Sequence, residues 1–270
     1  MKLQLVPARR GALWVRSGFR IFFRRPLAFC ALFIIYLVAA QLLMLLWPIG
    51  PALLFMIVPM ASLGFMIATR MALEGRVPLP SVFVEPLRGG AARLRAQIQL
   101  GLVYAAAVGT IIWLTDTVGG PAFDALQQAV ASGKATPESL TPLLADPTLQ
   151  AGMLLFLGLT SALSVPYWHA PALVHWGEQG WAKALFFSTV ACWRNKGALS
   201  VYALTWGGVI LLFAVLSNLV FALLGQPQLV LIAATPAALM FSTVFYASLY
   251  FTFADCFIQP SGDTLEPLEP

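Results

Sequence analysis

The chain has 270 residues, of which 60% are hydrophobic and 10% are charged, and its formal net charge is +5. About a quarter of the residues in a soluble domain are charged, so this composition excludes a soluble globular protein. The cations lie in short segments beside long apolar runs, as in membrane proteins. We therefore expect no nucleic-acid partner and no soluble domain of independent size.

Six apolar runs are long enough to cross a bilayer, which requires about 20 residues in a helix. They are 27–47, 49–69, 97–116, 151–175, 199–224 and 229–257. Apart from Lys134, all Lys and Arg residues fall within 2–25, 70–95 and 183–196. If the six runs form three hairpins, these basic segments share one side, which the positive-inside rule assigns to the cytoplasm. The sequence predicts an all-α, polytopic protein of the bacterial inner membrane with both termini cytoplasmic.

Three parts flank or interrupt these runs. Residues 1–26 form a basic N-terminal segment, and the membrane domain 27–257 is followed by an acidic tail, 258–270. Residues 117–150 are predicted to form an outer cap with two short helices, one near 121–132 and one that begins at Thr136-Pro137-Glu138. The first apolar run is too long for a signal-peptide core, so we expect it to be retained.

Each predicted hairpin follows a cytoplasmic segment that looks helical and partly amphipathic, at 12–25, 81–96 and 178–196. In the first of these, Arg16, Arg20 and Arg24 form a stripe opposite an apolar face. A helix of this kind is predicted to lie in the membrane interface. There Arg16, Arg20, Arg24 and Arg25 would contact anionic phospholipids, each cation contributing about 1 kcal/mol.

In the third segment, the helix from Trp181 to Arg194 is apolar almost all round, so it must be buried against something. Packing under the bundle or insertion into the interface are two interpretations. A third is a docking surface for a partner protein, with Lys183, Phe187 and Arg194 as its residues.

Span four contains Pro166 and Pro171, each of which removes a helical hydrogen bond and predicts a kink or break. His169 lies between them, and we expect it to be neutral and hydrogen-bonded to a hydroxyl group. His175 is six residues further on and points to another helix face, so a shared metal site is not expected.

Several aromatic and polar residues of spans four, five and six are a similar number of residues inward from the middle of their span. They are therefore expected at a similar depth in the inner leaflet. An aromatic belt with helix-to-helix hydrogen bonds explains this level without a ligand. The alternative is a pocket for a lipid or a small amphiphile. Its candidate residues are Tyr167, Trp168, His169, Tyr202, Thr205, Trp206, Tyr246 and Tyr250.

Two small-residue patterns predict close helix contacts, Gly101-x-x-x-Ala105-x-x-x-Gly109 and Gly158-x-x-x-Ala162. The three cysteines, Cys30, Cys192 and Cys256, are expected to be free thiols near the cytoplasmic face. No catalytic motif is present and no span has an ionisable residue near its middle, so we expect neither an enzyme nor a cofactor nor a metal.

The run from Tyr167 to Val174, YWHAPALV, is followed by Lys183-Ala-Leu-Phe-Phe-Ser188 and by Ala191-Cys-Trp-Arg-Asn195. Over residues 164–203 this sequence resembles uncharacterised proteobacterial inner-membrane proteins, the BPSS-type hypothetical membrane proteins of Burkholderia and relatives. The resemblance implies a polytopic inner-membrane protein and transfers no catalytic residue.

Two functions are compatible with these features. The first is a non-enzymatic accessory or scaffold protein with a membrane-protein partner, or a homodimer, and it is favoured because the span interiors lack charges. The second is a carrier or binder of a lipid-like or small amphiphilic molecule, which the broken fourth span and the aromatic layer suggest.

Overall fold

The computed structural model describes residues 1–132, 137–226 and 228–258 of the chain. In this part, six helices are long and apolar enough to cross a membrane, and the protein is an all-α polytopic membrane protein. The two-residue strands β1 (Lys2–Leu3) and β2 (Phe257–Ile258) pair antiparallel. The helices are α1 (Arg10–Arg24), α2 (Pro26–Met44), α3 (Gly50–Leu73), α4 (Ala91–Ala131), α5 (Pro137–Leu144), α6 (Pro147–Tyr167), α7 (Ala170–His175), α8 (Trp181–Arg194), α9 (Lys196–Leu223) and α10 (Leu229–Cys256).

The predicted surface helix at 81–96 is wrong. Two short 3-10 helices, Pro80–Phe83 and Glu85–Leu87, occupy its first half, and α4 begins only at Ala91. Prolines at the start of each turn and Gly90, with a φ of 87°, interrupt a continuous α-helix.

The predicted separate helix at 121–132 is also wrong, because α4 continues through Pro121 to Ala131. The second cap helix is present as α5, although Thr136, its predicted N-cap, lies outside the described residues. Asp146 caps the start of α6, and its side chain accepts a hydrogen bond of 2.7 Å from the Thr148 N–H. The acidic tail from residue 259 onward also lies outside the described part.

Helix α1 has the predicted two faces, but protein covers its apolar face. Trp14, Val15 and Ile21 are almost fully buried against α9 and α10. An added Cβ at Gly11 would lie 2.2 Å from the Ala198 carbonyl oxygen, so the backbones of α1 and α9 nearly touch. Helix α1 is thus an integral part of the bundle, and its position in the membrane interface stays a prediction.

The chain end before α1 is fixed to two other elements. The Asn195 side chain accepts a hydrogen bond of 2.9 Å from the Val6 N–H and donates one of 3.0 Å to the Gln4 carbonyl. The β1–β2 pair adds backbone bonds to the end of α10. The Arg25 guanidinium also donates a hydrogen bond to the Gly75 carbonyl. Together these contacts hold residues 1–25, 74–90 and 176–195 at one end of the bundle. We call this end the basic end.

Several cations of the basic end are paired within the protein. Arg70 and Arg76 both bond to Glu74, and the hydrogen bond from Arg76 lowers the pKa of the Glu74 carboxyl. Arg93 pairs with Glu178 at 2.9 Å. The charges of these arginines are therefore partly compensated by neighbouring carboxylates before any lipid is considered.

The Asp255 carboxylate joins the start of α1 to the end of α10. Arg10 donates two hydrogen bonds to it, both of 2.7 Å, and the Trp14 indole N–H donates a third of 2.6 Å. We call these three residues the Asp255 cluster. Its side chains are mostly shielded from solvent, and the Trp14 ring is only 1% exposed.

One glycine of the small-residue patterns lies at a close contact between helices, and two others do not. A Cβ added at Gly101 would lie 2.3 Å from the Met56 carbonyl oxygen of α3. At Gly109 and Gly158, no atom of another described element lies within 4 Å of an added Cβ. The predicted close packing is therefore found at Gly101. Gly109 and Gly158 lie away from the helix interfaces.

Candidate functional site

A cavity of about 760 Å³ lies between α6, α9 and α10, and we call it the α9/α10 cavity. Helix α1 packs against both α9 and α10 more extensively than these two helices pack against each other. The third predicted hairpin is therefore not a tightly packed pair, and space remains between its helices. The lining residues are Ser164, Val165, Trp168, Cys192, Leu199, Tyr202, Ala203, Trp206, Gly207, Ile210, Phe241, Ser242, Phe245 and Tyr246.

Four of the eight predicted pocket residues line this cavity: Trp168, Tyr202, Trp206 and Tyr246. Their rings come from α9, from α10 and from the break that follows α6, and they form one connected aromatic wall. Trp168 and Tyr202 meet edge to face at 5.9 Å, and Tyr202 and Trp206 do so at 6.5 Å. Phe245 lies 6.0 Å from Trp206 and links this wall to α10.

The other four predicted pocket residues lie elsewhere. Tyr167 points to α4, where its hydroxyl donates a 3.1 Å hydrogen bond to the Leu100 carbonyl. Thr205 bonds back to the Val201 carbonyl of its own helix. His169 and Tyr250 pack in aromatic clusters with Phe253, Phe257 and Trp176. The eight residues lie at similar depths in their spans, but the depth of a residue does not determine the direction in which its side chain points.

Hydrogen bonds to α10 fix two of the aromatic side chains in the wall. The Tyr202 hydroxyl and the Ser248 hydroxyl are 2.6 Å apart. The Trp168 indole donates to the Thr252 hydroxyl at 3.2 Å. These bonds restrict ring rotation, so the cavity has a wall of fixed shape.

The Trp206 indole N–H makes no hydrogen bond of normal geometry within the described part of the chain. The Tyr202 hydroxyl is near enough to interact with it. No charged side chain contributes to the described wall of the cavity. A wall that is almost entirely aromatic and aliphatic favours an uncharged, apolar occupant or the apolar part of an amphiphile.

Span four is broken next to the cavity, between the end of α6 at Tyr167 and the start of α7 at Ala170. Ser188 of α8 bridges the break. Its hydroxyl accepts a 2.9 Å hydrogen bond from the His169 backbone N–H and donates one of 3.1 Å to the Val165 carbonyl. Backbone groups that lose helical partners are thus satisfied by a neighbouring helix.

The predicted hydrogen bond between the His169 ring and a hydroxyl group is wrong. The Ser188 hydroxyl bonds to the backbone of His169, whereas the ring atom Nδ1 has no hydrogen-bond partner among the described residues. The ring is 1% exposed and packs edge to face on Phe257 at 5.5 Å. The two prolines interrupt the helix and leave backbone groups without helical partners. The Ser188 hydroxyl bonds to these groups, so it is not available to the His169 ring.

Several lining residues were missed from the sequence, including Cys192, Gly207, Ser242 and Phe245. The adjacent glycines Gly207 and Gly208 in the middle of α9 were a usable signal, because glycine in a helix interior leaves space beside the backbone. The three cysteines are free, as expected. Burial raises the pKa of the Cys192 thiol to about 12, so this thiol stays protonated at neutral pH.

The predicted lipid-contact arginines are placed differently from one another. Arg16 and Arg24 are exposed on α1, Arg20 is half-buried, and Arg25 donates a 3.1 Å hydrogen bond to the Gly75 carbonyl. Part of the predicted cationic stripe therefore faces outward, and Arg25 also contributes to the packing of the basic end.

The predicted partner-docking residues Lys183, Phe187 and Arg194 are all exposed on α8. Two further aromatic rings extend this surface, Phe186 at 63% exposure and Trp193 at 72%. The opposite side of α8 consists of small buried residues and packs against α6 and α7. We call the exposed side the α8 face.

Comparison with known proteins found a relative along almost the whole chain. The chain is 32% identical over 270 residues to a probable inner membrane protein of Burkholderia thailandensis. The match covers 97% of this chain and 96% of that protein. No family model matches the chain. No solved structure matches it either.

Proposed function

Because the chain belongs to a family of uncharacterised proteobacterial inner-membrane proteins, we propose that it binds or carries a lipid-like or small amphiphilic molecule in the α9/α10 cavity. The observation that supports this proposal is the cavity itself. Its volume, about 760 Å³, falls within the range of ligand pockets, roughly 300–1,000 Å³. Its wall is largely aromatic, contains no charge in the described residues and is fixed by two hydrogen bonds to α10.

The proposal assigns no reaction to the protein. The polar atoms at the wall are hydroxyl groups, an indole N–H and the Cys192 thiol, which burial keeps protonated. Such groups orient a ligand by hydrogen bonds but do not form a nucleophile-and-base pair. Binding or carrying, without chemical conversion, is the role that this set of groups supports.

Filling the cavity from Gly207 tests the proposal. A Gly207→Phe variant places a ring in the cavity without a clash at Cβ, because no atom of another element in the described part of the chain lies within 4 Å of an added Cβ. We expect a co-purified small molecule, measured by native mass spectrometry after gentle extraction, to fall at least about fivefold. Gly208→Phe is the matched control, since Gly208 is equally open but does not line the cavity. Equal retention in both variants and the unmodified protein would contradict the proposal.

A second candidate function is an accessory or scaffold role, with a membrane-protein partner or a second copy on the α8 face. Three exposed aromatic rings flanked by Lys183 and Arg194 support it, because exposed apolar patches mark interaction sites. Native mass spectrometry distinguishes the two roles. A stoichiometric protein partner that Phe187→Ser removes and Thr189→Ser retains would favour the scaffold.

The orientation of the protein is a further part of the proposal. The three basic segments meet at the basic end, which supports a cytoplasmic position for this end and for the N-terminus. Arg16 and Arg24 would then be available to anionic phospholipids of the inner leaflet. Reporter fusions at residues 50, 135 and 227 are expected to report from the periplasm. A cytoplasmic signal at any of these positions would contradict this topology.

A further inference from the structure

A second cavity, of about 530 Å³, lies between α4 and α6. It is distant in sequence from the basic end and contains none of the residues of the α9/α10 cavity. Two carboxylates line it, Asp116 and Asp124, eight residues apart on α4. Residues at this spacing lie on one side of a helix, about 12 Å apart along its axis. We call this the α4/α6 cavity.

These two carboxylates differ from the others in the described part of the chain. Neither Asp116 nor Asp124 has an ion pair or a hydrogen bond to a described residue. The remaining carboxylates with described side chains all have partners: Glu74, Glu85, Asp146, Glu178 and Asp255. Both side chains are exposed, and two carboxylates without a counter-ion among the described residues therefore border one cavity.

Thr115 supplies an independent sign of a binding site in the same cavity. Its side chain is only 7% exposed, and its buried hydroxyl has no hydrogen-bond partner among the described residues. Two other threonines of α4, Thr110 and Thr117, bond to carbonyls of their own helix. A buried polar group without a partner destabilises the protein, and a ligand that bonds to it removes this cost.

Aromatic rings complete the wall beside the carboxylates. Phe123 of α4 and Phe156 of α6 both line the cavity. A cation is attracted both to carboxylates and to the face of an aromatic ring. A divalent metal prefers six or more oxygen ligands, and no group of three or more His, Cys, Asp or Glu residues suited to a metal occurs in the described residues. An organic cation with an apolar body fits this wall better than a metal ion.

We propose that the α4/α6 cavity binds the ammonium group of an amphiphilic primary amine. The ammonium pairs with the Asp116 carboxylate, the adjacent Thr115 hydroxyl accepts one of its N–H groups, and the more distant Asp124 carboxylate attracts it electrostatically. The apolar body of the amine packs against Phe123 and Phe156. The source of the amine is either an aminophospholipid headgroup or a free amine. This site is independent of the α9/α10 cavity and of its proposed function.

The test uses the full chain in phosphatidylcholine nanodiscs, with phenethylammonium as the probe and phenethyl alcohol as its uncharged analogue. Calorimetric titration is expected to show binding of the amine and no measurable binding of the alcohol. The double variant Asp116→Asn/Asp124→Asn should weaken amine binding by about tenfold or more, since it replaces both charged partners of the ammonium by neutral amides. Thr115→Val should weaken it by about threefold or more.

Two matched controls keep the result specific. Thr110→Val changes an exposed threonine of the same helix, and Glu178→Gln removes a carboxylate at the basic end. Both variants should bind the amine as the unmodified protein does. Equal binding of the alcohol, unchanged affinity in the double variant, or binding of Mg²⁺ but not of the amine would overturn the proposal. Thermal stability of each variant shows that the loss of binding is not a loss of folding.

The lipid composition of the nanodisc distinguishes the two sources. If phosphatidylethanolamine in the disc competes with phenethylammonium and raises its apparent dissociation constant severalfold, the natural ligand is an aminophospholipid headgroup. If the constant is unchanged, the ligand is a free amine. Either result keeps the ammonium chemistry of the site.

Discussion

Replacing Gly101 by alanine is expected to destabilise the protein by about 1–3 kcal/mol, a typical cost of overpacking. The added Cβ would lie 2.3 Å from the Met56 carbonyl oxygen and 2.9 Å from the Met56 side chain. The first of these is a backbone atom, so α3 and α4 must move apart to relieve the clash. The measurement is the thermal midpoint of the detergent-solubilised protein, followed by fluorescence-detected size-exclusion chromatography.

Gly109 provides the matched control, since it lies two turns further along α4. Among the described residues, no atom outside its own helical backbone lies within 4 Å of an added Cβ at this position. Gly109→Ala is therefore expected to leave the midpoint unchanged or to raise it, because alanine is more favourable than glycine in a helix interior by about 0.8–1.0 kcal/mol. Equal loss of stability in the two variants would show that α3 and α4 do not approach each other at Gly101.

Removing the charge of Asp255, which joins α1 of the basic end to α10, is expected to be strongly destabilising. Asp255→Asn weakens the two Arg10 hydrogen bonds of 2.7 Å and the Trp14 bond of 2.6 Å. Arg10 then keeps its charge without a counter-ion in a partly buried place. We expect a loss of about 1.5–3 kcal/mol, because the side chains keep 20–32% exposure and solvent screens part of the interaction.

Glu178→Gln is the control for the Asp255 experiment. Glu178 also pairs with an arginine, Arg93, at 2.9 Å, but its side chain is 78% exposed. Exposed ion pairs contribute about 0–1 kcal/mol, so its thermal midpoint should hardly change. The double variant Arg10→Leu/Asp255→Leu should recover part of the stability lost in Asp255→Asn, because it leaves no unpaired charge. A midpoint shift in Asp255→Asn no larger than that in Glu178→Gln would contradict the structural role of the Asp255 cluster.

Both expected effects depend on which residues lie at the contacts between helices. The position of a residue along its span does not contain this information. The two glycines of the α4 pattern look equivalent in the sequence, yet an added Cβ would clash with α3 at Gly101 and would contact no other described element at Gly109. Likewise, Tyr246 and Tyr250 are one helical turn apart. Tyr246 lines the α9/α10 cavity, whereas Tyr250 packs on Trp176. The direction of each side chain depends on the rotation of its helix, which hydropathy does not encode.

The broken fourth span shows what local sequence can and cannot indicate. Pro166 and Pro171 predict a break because proline lacks an N–H, and the structure has α6 end at Tyr167 and α7 begin at Ala170. The partner that bridges the break, Ser188, lies nineteen residues after His169 on another helix. No local pattern identifies it, since many hydroxyl groups in the chain could reach a freed backbone group.

The sequence by itself determined the class of the protein. A bilayer requires about 20 apolar residues for each crossing, and this requirement is linear along the chain, so hydropathy alone yields six spans. The tertiary structure decided which faces of those spans meet. Helix α1 packs between α9 and α10, the α9/α10 cavity remains beside it, and Asp116 and Asp124 face another cavity across from α6. These features depend on helix rotation and on contacts between residues far apart in the chain, which arise only when the bundle is assembled.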